Sequence, residues 1–269
     1  MPRNVLLDVD TGVDDALAII LAMHSPSIRL VGITTVSGNT GSDQAALNTR
    51  FLLRHFRDGE KVSVVVGARE SIARGAPVRA ANVHGGDGLG GVYDEFAKVH
   101  GGLDAPETTG MDAADFILEQ ARRHKRDLAV VATGPVTNLA LALERDRASF
   151  LQIGDVLVMG GAIDVRGNVR ELVEFNASCD PEALSSVLQS GVRVTLFPLD
   201  VTRQVRLTAA SLNEQKAVAV EELALIRRLT RHYMEFYRLQ YGIGGAICTM
   251  PFLSATSFDR ICSDSGGES

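Results

Sequence analysis

The stretch Val5-Leu6-Leu7-Asp8-Val9-Asp10-Thr11-Gly12-Val13-Asp14-Asp15-Ala16 decides how the rest of the chain is read. A short apolar run ends in two aspartates, a glycine turns the chain, and two more aspartates open an apolar stretch of helical period, Ala16–Met23. This is a strand ending in carboxylates, a tight turn, and a helix beginning with carboxylates. Period-two geometry puts Asp8 and Asp10 on the same side of the strand. Asp14 and Asp15 fall where the free N–H groups of a helix start favour negative charge, and either one alone is an ordinary cap. Four aspartates within eight residues exceed what capping needs. Such a concentration of charge is costly unless a cation neutralises it. Carboxylate oxygens are hard donors and no His/Cys cluster lies nearby, so Ca2+ or Mg2+ is favoured over zinc.

Outward from this stretch the same β-α order recurs. Leu30–Val36, Val62–Val66, Leu128–Ala132, Val156–Met159 and Val192–Phe197 read as strands. Gln44–Phe56, Ala113–Arg123, Leu139–Leu143 and Pro181–Leu188 read as helical. The order predicts an α/β fold: an open, mostly parallel central sheet with helices on both faces. Strand runs that do not alternate fit strands buried on both sides. The glycine-rich segment Gly67–Gly110 departs from the rhythm, and long irregular segments of this kind are usually functional or disordered. Arg203 to Gly242 reads as mainly helical, with an amphipathic stretch from Val218 to Tyr241. The 269 residues are expected to form one domain.

Composition narrows the function classes. Hydrophobic residues make up 45% of the chain, enough for a sizeable core. The net charge is −6, with no Lys/Arg-rich run, so neither nucleic acid nor a membrane is an expected partner. Cys179, Cys248 and Cys262 are too few and too scattered for a disulfide framework, which suits a reduced, cytoplasmic setting. No signal-like apolar region precedes Asp8, and no apolar run reaches the roughly 18 residues of a membrane span.

In such sheets the ligand crevice lies beyond the carboxyl ends of the strands, and the polar motifs sit there. They are Thr34-Thr35-Val36-Ser37-Gly38-Asn39, Thr133-Gly134-Pro135-Val136-Thr137-Asn138-Leu139-Ala140, Val158-Met159-Gly160-Gly161, and Glu174-Phe175-Asn176 followed by Asp180-Pro181-Glu182-Ala183. With the aspartate motif and His84-Gly85-Gly86-Asp87-Gly88, six motifs stand in order. Together they resemble the nucleoside hydrolases, the inosine/uridine-preferring nucleoside N-ribohydrolases, from residue 4 to about residue 208.

The resemblance implies hydrolysis of the N-glycosidic bond of ribonucleosides to ribose and free base, as in purine and pyrimidine salvage. It implies a Ca2+ ion at the carboxyl end of the sheet, with Asp10, Asp15 and the Thr133 carbonyl as ligands. Asp10 would also be the general base toward a water held by the ion. Asp14, Asn39 and Asn176 would grip the ribose 2′- and 3′-hydroxyls, and Asn168 and Glu174 the 5′-hydroxyl, with Met159 beside the sugar. Tyr237 stands where the family often has a tyrosine touching the base, and His84 is placed to line the site. Asp8 would support the site without being a ligand. The expected assembly is a homodimer or homotetramer.

The late part of the chain departs from the pattern. The family carries a His-Asp-Pro motif that serves the leaving base and completes the metal site. Here the corresponding stretch is Cys248-Thr249-Met250-Pro251-Phe252-Leu253, which puts Thr249 and Met250 at the His and Asp positions. Methionine is a poor Ca2+ ligand, so weaker metal binding is expected unless water or Asp264 fills the place. The leaving base would need another donor, for which His84, His232, Tyr237 and Tyr241 are the candidates. The C-terminal part is expected to be incomplete. Two rival readings stand beside the hydrolase. One is a homologue with weak or no turnover that binds a ribosyl ligand or a partner. The other is a haloacid-dehalogenase-type phosphohydrolase, because Asp8-Val9-Asp10-Thr11 resembles its D-x-D-x-T motif. Against the second, Gly12 and the Asp14-Asp15 pair follow at once, and no downstream Lys and acidic pair is evident.

Overall fold

The structure is a computed structural model that describes residues 2–56, 58–77, 79–104, 110–214 and 219–247. Six parallel strands form one sheet in the order β3-β2-β1-β4-β5-β6. They are β1 (Arg3–Val9), β2 (Ile28–Thr35), β3 (Val64–Val66), β4 (Leu128–Ala132), β5 (Asp155–Met159) and β6 (Val194–Phe197). The chain winds outward from β1 to β3, then crosses back to lay β4 on the other side of β1. The switch point between β1 and β4 leaves a crevice at the carboxyl ends of the strands, and Asp8 and Asp10 stand at its edge.

Alternation along the strands sends side chains to two cores. Val5, Leu7 and Val9 of β1 and Val131 of β4 join one cluster. Leu6 of β1 and Val130 and Ala132 of β4 join the other. The first is covered by α1 (Val13–His24) and α2 (Ser42–Leu53), the second by α5 (Ala113–His124), α6 (Thr137–Arg145) and α9 (Pro181–Leu188). Every residue of β4 is buried, as its unbroken apolar run requires. The register sets Asp8 beside both Thr34 and Ala132, so the ends of β1, β2 and β4 are flush. The Thr133 N–H then donates to the Asp8 carbonyl at 2.9 Å and carries the pairing one residue further.

Element boundaries shift by a few residues from the sequence expectation. The larger correction concerns Gly67–Gly110, whose described residues hold two helices, α3 (Ala81–His84) and α4 (Val92–His100). Asp87 explains how a glycine-rich stretch becomes ordered. Its Oδ1 accepts the N–H groups of Leu89 and Gly91 at 2.8 Å each. Its Oδ2 accepts those of Tyr93 at 2.9 Å and Asp94 at 3.2 Å. One buried carboxylate thus takes the free donors at the start of α4. Gly88, Gly90 and Gly91 supply the positive φ angles of the turn around it.

The remaining elements are α7 (Arg147–Phe150), α8 (Phe175–Cys179), α10 (Leu199–Thr202), β7 (Arg206–Leu207), α11 (Ala209–Asn213), α12 (Val220–Tyr241) and β8 (Ala246–Ile247). The stretch from Arg203 to Gly242 is therefore less uniformly helical than its sequence suggests. β7 leaves it to pair with β8 in an antiparallel ribbon separate from the sheet. Leu225, Leu229 and Tyr233 of α12, spaced four apart, pack into the first core. Among the described residues no helix is long and apolar enough to cross a membrane.

Candidate active site

The floor of the crevice is built from strand ends and the start of α1. Asp10 is fully buried just past β1. Asn39, in the loop after β2, holds it with two donors: its N–H reaches Oδ2 at 2.7 Å and its side-chain amide reaches Oδ1 at 3.1 Å. The same amide lies 3.4 Å from Asp15 Oδ2. Asp15 accepts the Gly12 N–H at 2.8 Å and the Thr133 hydroxyl at 2.5 Å. It therefore caps α1 and also serves the crevice. Close approach explains two glycines. A Cβ at Gly38 would sit 2.1 Å from Asp10 Oδ2, and one at Gly12 would sit 2.8 Å from both the Asn39 amide and His84 Nδ1.

Burial pushes both carboxyls well above their usual range. Asp15's charge adds to the effect on Asp10, and Asp14's charge adds to the effect on Asp15. Each carboxyl therefore holds a proton more readily than an ordinary aspartate does. Among the described residues no Lys or Arg forms an ion pair with either. Two buried, mutually repelling carboxylates suit a hard divalent cation, whose charge would offset theirs. The fit is to part of a site: among the described residues no three His, Cys, Asp or Glu groups converge as a cage. Thr249, Met250, Pro251 and Asp264 lie outside the described residues.

Beneath this pair, Asp8 accepts the Thr34 hydroxyl at 2.6 Å and the Asn138 amide at 2.7 Å, both on Oδ1. Burial pushes its carboxyl up to about 7. Asn138 also donates to the Thr35 carbonyl at 3.0 Å and accepts the Ala68 N–H at 2.8 Å, tying β1, β2 and the loop after β3 together.

Above the floor opens a cleft of about 660 Å³. Asp14, Asn39, His84, Thr133, Met159, Asn168, Glu174, Asn176 and Tyr237 all line it, so the structure brings together residues scattered over most of the chain. Asn176, at the start of α8, donates to the Thr133 carbonyl at 2.7 Å and the Met159 carbonyl at 3.2 Å. Glu174 caps that helix, accepting the N–H groups of Asn176 at 3.0 Å, Ala177 at 2.9 Å and Gly161 at 3.1 Å. Burial raises its pKa, and those bonds oppose the rise. Asn168 fixes the other end of the segment by accepting the Phe175 N–H at 2.8 Å.

His84 is buried. Its Nδ1 accepts the Val13 N–H at 3.1 Å, leaving Nε2 to carry the proton of the neutral ring. Burial lowers its pKa, outweighing the nearby Asp14 charge. The ring stacks on Tyr233 at 5.3 Å, and Tyr233 meets Tyr237 edge-on at 5.1 Å. Burial pushes the Tyr237 phenol up to about 12. Of the other candidate donors, Tyr241 reaches the cleft, whereas His232 is not in its lining and lies 3.3 Å from the Asn82 carbonyl. Sequence reasoning missed Arg79, Asn82, Phe236 and Gln240 on the far wall. Two of these share the face of α12 that carries Tyr233 and Tyr237, so helical spacing held a signal for them. Arg79 and Asn82 had none.

The sequence profile of the inosine-uridine preferring nucleoside hydrolases matches residues 5–260. The chain belongs to this family. It is an enzyme family of glycosidase type whose reaction cleaves N-glycosidic bonds, and membership displaces the phosphohydrolase reading of the Asp8–Thr11 motif. The chain is 31% identical over 244 residues to a probable uridine nucleosidase 1 of Oryza sativa subsp. japonica, covering 90% of this chain and 72% of that one. Its fold is similar to that of a plant nucleoside hydrolase, with a TM-score of 0.87, 30% identity, and 97% and 80% of the two chains covered. It is also similar to a purine-preferring ribonucleoside hydrolase from Gardnerella vaginalis, with a TM-score of 0.86, 31% identity, and 96% and 81% covered.

Proposed function

We propose that this nucleoside hydrolase family member splits ribonucleosides into ribose and free base on the floor formed by Asp10 and Asp15. The observation that carries the proposal is one cleft lined by Asp14, Asn39, Thr133, Asn168, Glu174 and Asn176, of which Asn39 and Thr133 hydrogen-bond the buried carboxylate pair. Asp14, Asn39 and Asn176 take the ribose diol, and Asn168 and Glu174 take the 5′-hydroxyl. Met159 flanks the sugar. Several polar contacts to one ring fix its orientation toward the reacting atom.

Asp10 accepts a proton from the attacking water as its oxygen bonds to C1′, and the C1′–N electron pair leaves with the base. The two Asn39 donors hold the Asp10 carboxylate in place for that transfer. Positive charge builds on the sugar in the transition state, and the surrounding carboxylates stabilise it. Ca2+, held by Asp10, Asp15 and the Thr133 carbonyl, would neutralise the pair and make a neighbouring water easier to deprotonate. Tyr237 and the His84 Nε2–H are among the hydrogen-bond donors the cleft offers the departing base.

A Ca2+ titration by calorimetry, paired with ribose release from inosine and uridine, tests the proposal. Metal binding with turnover of either nucleoside is expected. Absence of both would leave the rival reading of a ligand-binding homologue, which draws on Met250 at the position of an anionic ligand.

A further inference from the structure

A second cleft of about 610 Å³ adjoins the first and shares Asn168, Val169, Tyr237, Gln240 and Tyr241 with it. Its lining differs sharply in charge. Arg166 and Arg170, from the loop between β5 and α8, face Arg203 and Arg206, from the segment joining α10 to β7, and no carboxylate lines the space between them. Among the described residues none of the four is in an ion pair, in contrast with Arg69, Arg74 and Arg145, which all are. The acidic residues nearest in sequence, Asp164, Glu171 and Asp200, do not line this cleft; Asp200 accepts the N–H groups of Ile163 at 3.0 Å and Asp164 at 2.7 Å and also feels the charge of Arg203. Arg203 donates to the Gly167 carbonyl at 3.4 Å, a long bond that leaves most of its donors unused.

Four guanidiniums with so few partners around one concavity are unusual in a chain of net charge −6. Grouped cations in a cleft focus the field and concentrate anions there, and guanidinium is suited to binding phosphate through paired hydrogen bonds. The cleft also lies in a definite direction from the sugar. In the proposed orientation the ribose 5′-hydroxyl meets Asn168 and Glu174, and Asn168 is the part of the shared wall on that side of the sugar. A substituent on the 5′ oxygen would therefore point from the first cleft into the second. Glu174 lines the adjoining cleft, and its oxygens already accept three backbone N–H groups, which reduces its repulsion of an anion.

We propose that the arginine-lined cleft is a phosphate subsite, so that ribonucleoside 5′-monophosphates are substrates of this chain alongside nucleosides. The proposal rests on the ribose orientation given under the proposed function. The chemistry is unchanged: water oxygen bonds to C1′, the C1′–N bond breaks with its electron pair leaving on the base, and the phosphoester stays intact. The products are free base and ribose 5-phosphate.

The test compares uridine with uridine 5′-monophosphate, and inosine with inosine 5′-monophosphate, as substrates of the wild-type chain and the double variant Arg166→Gln/Arg170→Gln. Base release gives kcat/KM, and calorimetry gives the affinity for ribose 5-phosphate and for inorganic phosphate. Monophosphates should be hydrolysed, and the double variant should lower their kcat/KM by about tenfold or more, the worth of one lost charge-assisted contact. The nucleoside values should stay within about twofold, because neither arginine touches the unphosphorylated sugar. Three results would overturn the proposal. In the first, nucleosides are hydrolysed while monophosphates neither react nor compete. In the second, the variant loses equally on both substrate types. In the third, inorganic phosphate binds without competing with ribose 5-phosphate, which would make the cleft a separate anion site. If no nucleoside reacts, the hydrolase reading fails, and the subsite is judged by binding alone. An affinity for ribose 5-phosphate that drops about tenfold in the variant supports it, and an unchanged affinity removes it.

Discussion

The floor and the far wall of the cleft are built by different means. On the floor, Asp8, Asp10 and Asp15 are fully buried, sit at strand ends or the start of α1, and are held by donors from two sequence-distant segments, Asn39 on one and Thr133 and Asn138 on the other. On the wall, Tyr233, Phe236, Tyr237 and Gln240 project from one helix face, and their partners are mainly one another's rings. A floor fixed by backbone register can keep one geometry for bond cleavage. A wall made of side chains on a helix can change its residues without disturbing the sheet, which suits recognition of the base.

The contrast is sharpest at Asp15 and Tyr237. Asp15→Asn removes one of the two charges placed to hold a cation and should lower kcat by about a hundredfold or more, the scale of several kcal/mol of lost charge stabilisation. Steady-state ribose release measures it, and a loss under tenfold would mean the floor is less specialised than its burial implies. Asn138→Leu probes the floor's support. It removes one of the two side-chain donors to Asp8 and strands the Ala68 N–H, and should cost about 1–3 kcal/mol of unfolding free energy in a denaturant titration. A smaller cost would show that the network is slack.

The buried carboxyls also fix a pH signature. The folded-state pKa of Asp8 is about 7, against the ordinary 3.8, and Asp15 is raised in the same direction. The folded protein therefore binds protons that the unfolded chain releases in that interval. Their stabilising effect is fully present near pH 4 and is lost as pH rises to about 7. In chelator, these groups should make the melting temperature fall across that interval, and Ca2+ should flatten or reverse the trend. A metal-free protein whose melting temperature rises there would contradict the raised pKa values. The smallest effect is expected from Tyr237→Phe, which removes one hydrogen-bond donor from the wall and should change kcat/KM by about tenfold or less. The change should differ between purine and pyrimidine nucleosides, and an equal loss on both would take Tyr237 out of base recognition.

The same contrast separates what was legible in the sequence from what was not. β1, its terminal aspartates and the recurring β-α order are local patterns, and the parallel sheet follows from them. The residues expected to grip the sugar occupy strand ends, and in this topology strand ends must converge. Asp87 was legible only as part of a glycine-rich motif, because its four N–H partners depend on how α4 begins. His84's fixed tautomer depends on Val13, 71 residues away. The arginine cleft joins two segments that neither periodicity nor composition connects. Its four members look like ordinary surface charges until the loop after β5 and the segment after α10 are placed face to face.

The central claim is that the Asp10–Asp15 floor performs the cleavage. Ribose release from inosine and uridine in saturating Ca2+, measured for the wild-type chain beside Asp10→Asn, tests it most directly. The expected result is turnover in the wild type and loss of about a thousandfold or more in the variant, with folding unaffected because a like-charge contact has been relieved. Wild-type turnover retained in full by Asp10→Asn would contradict it.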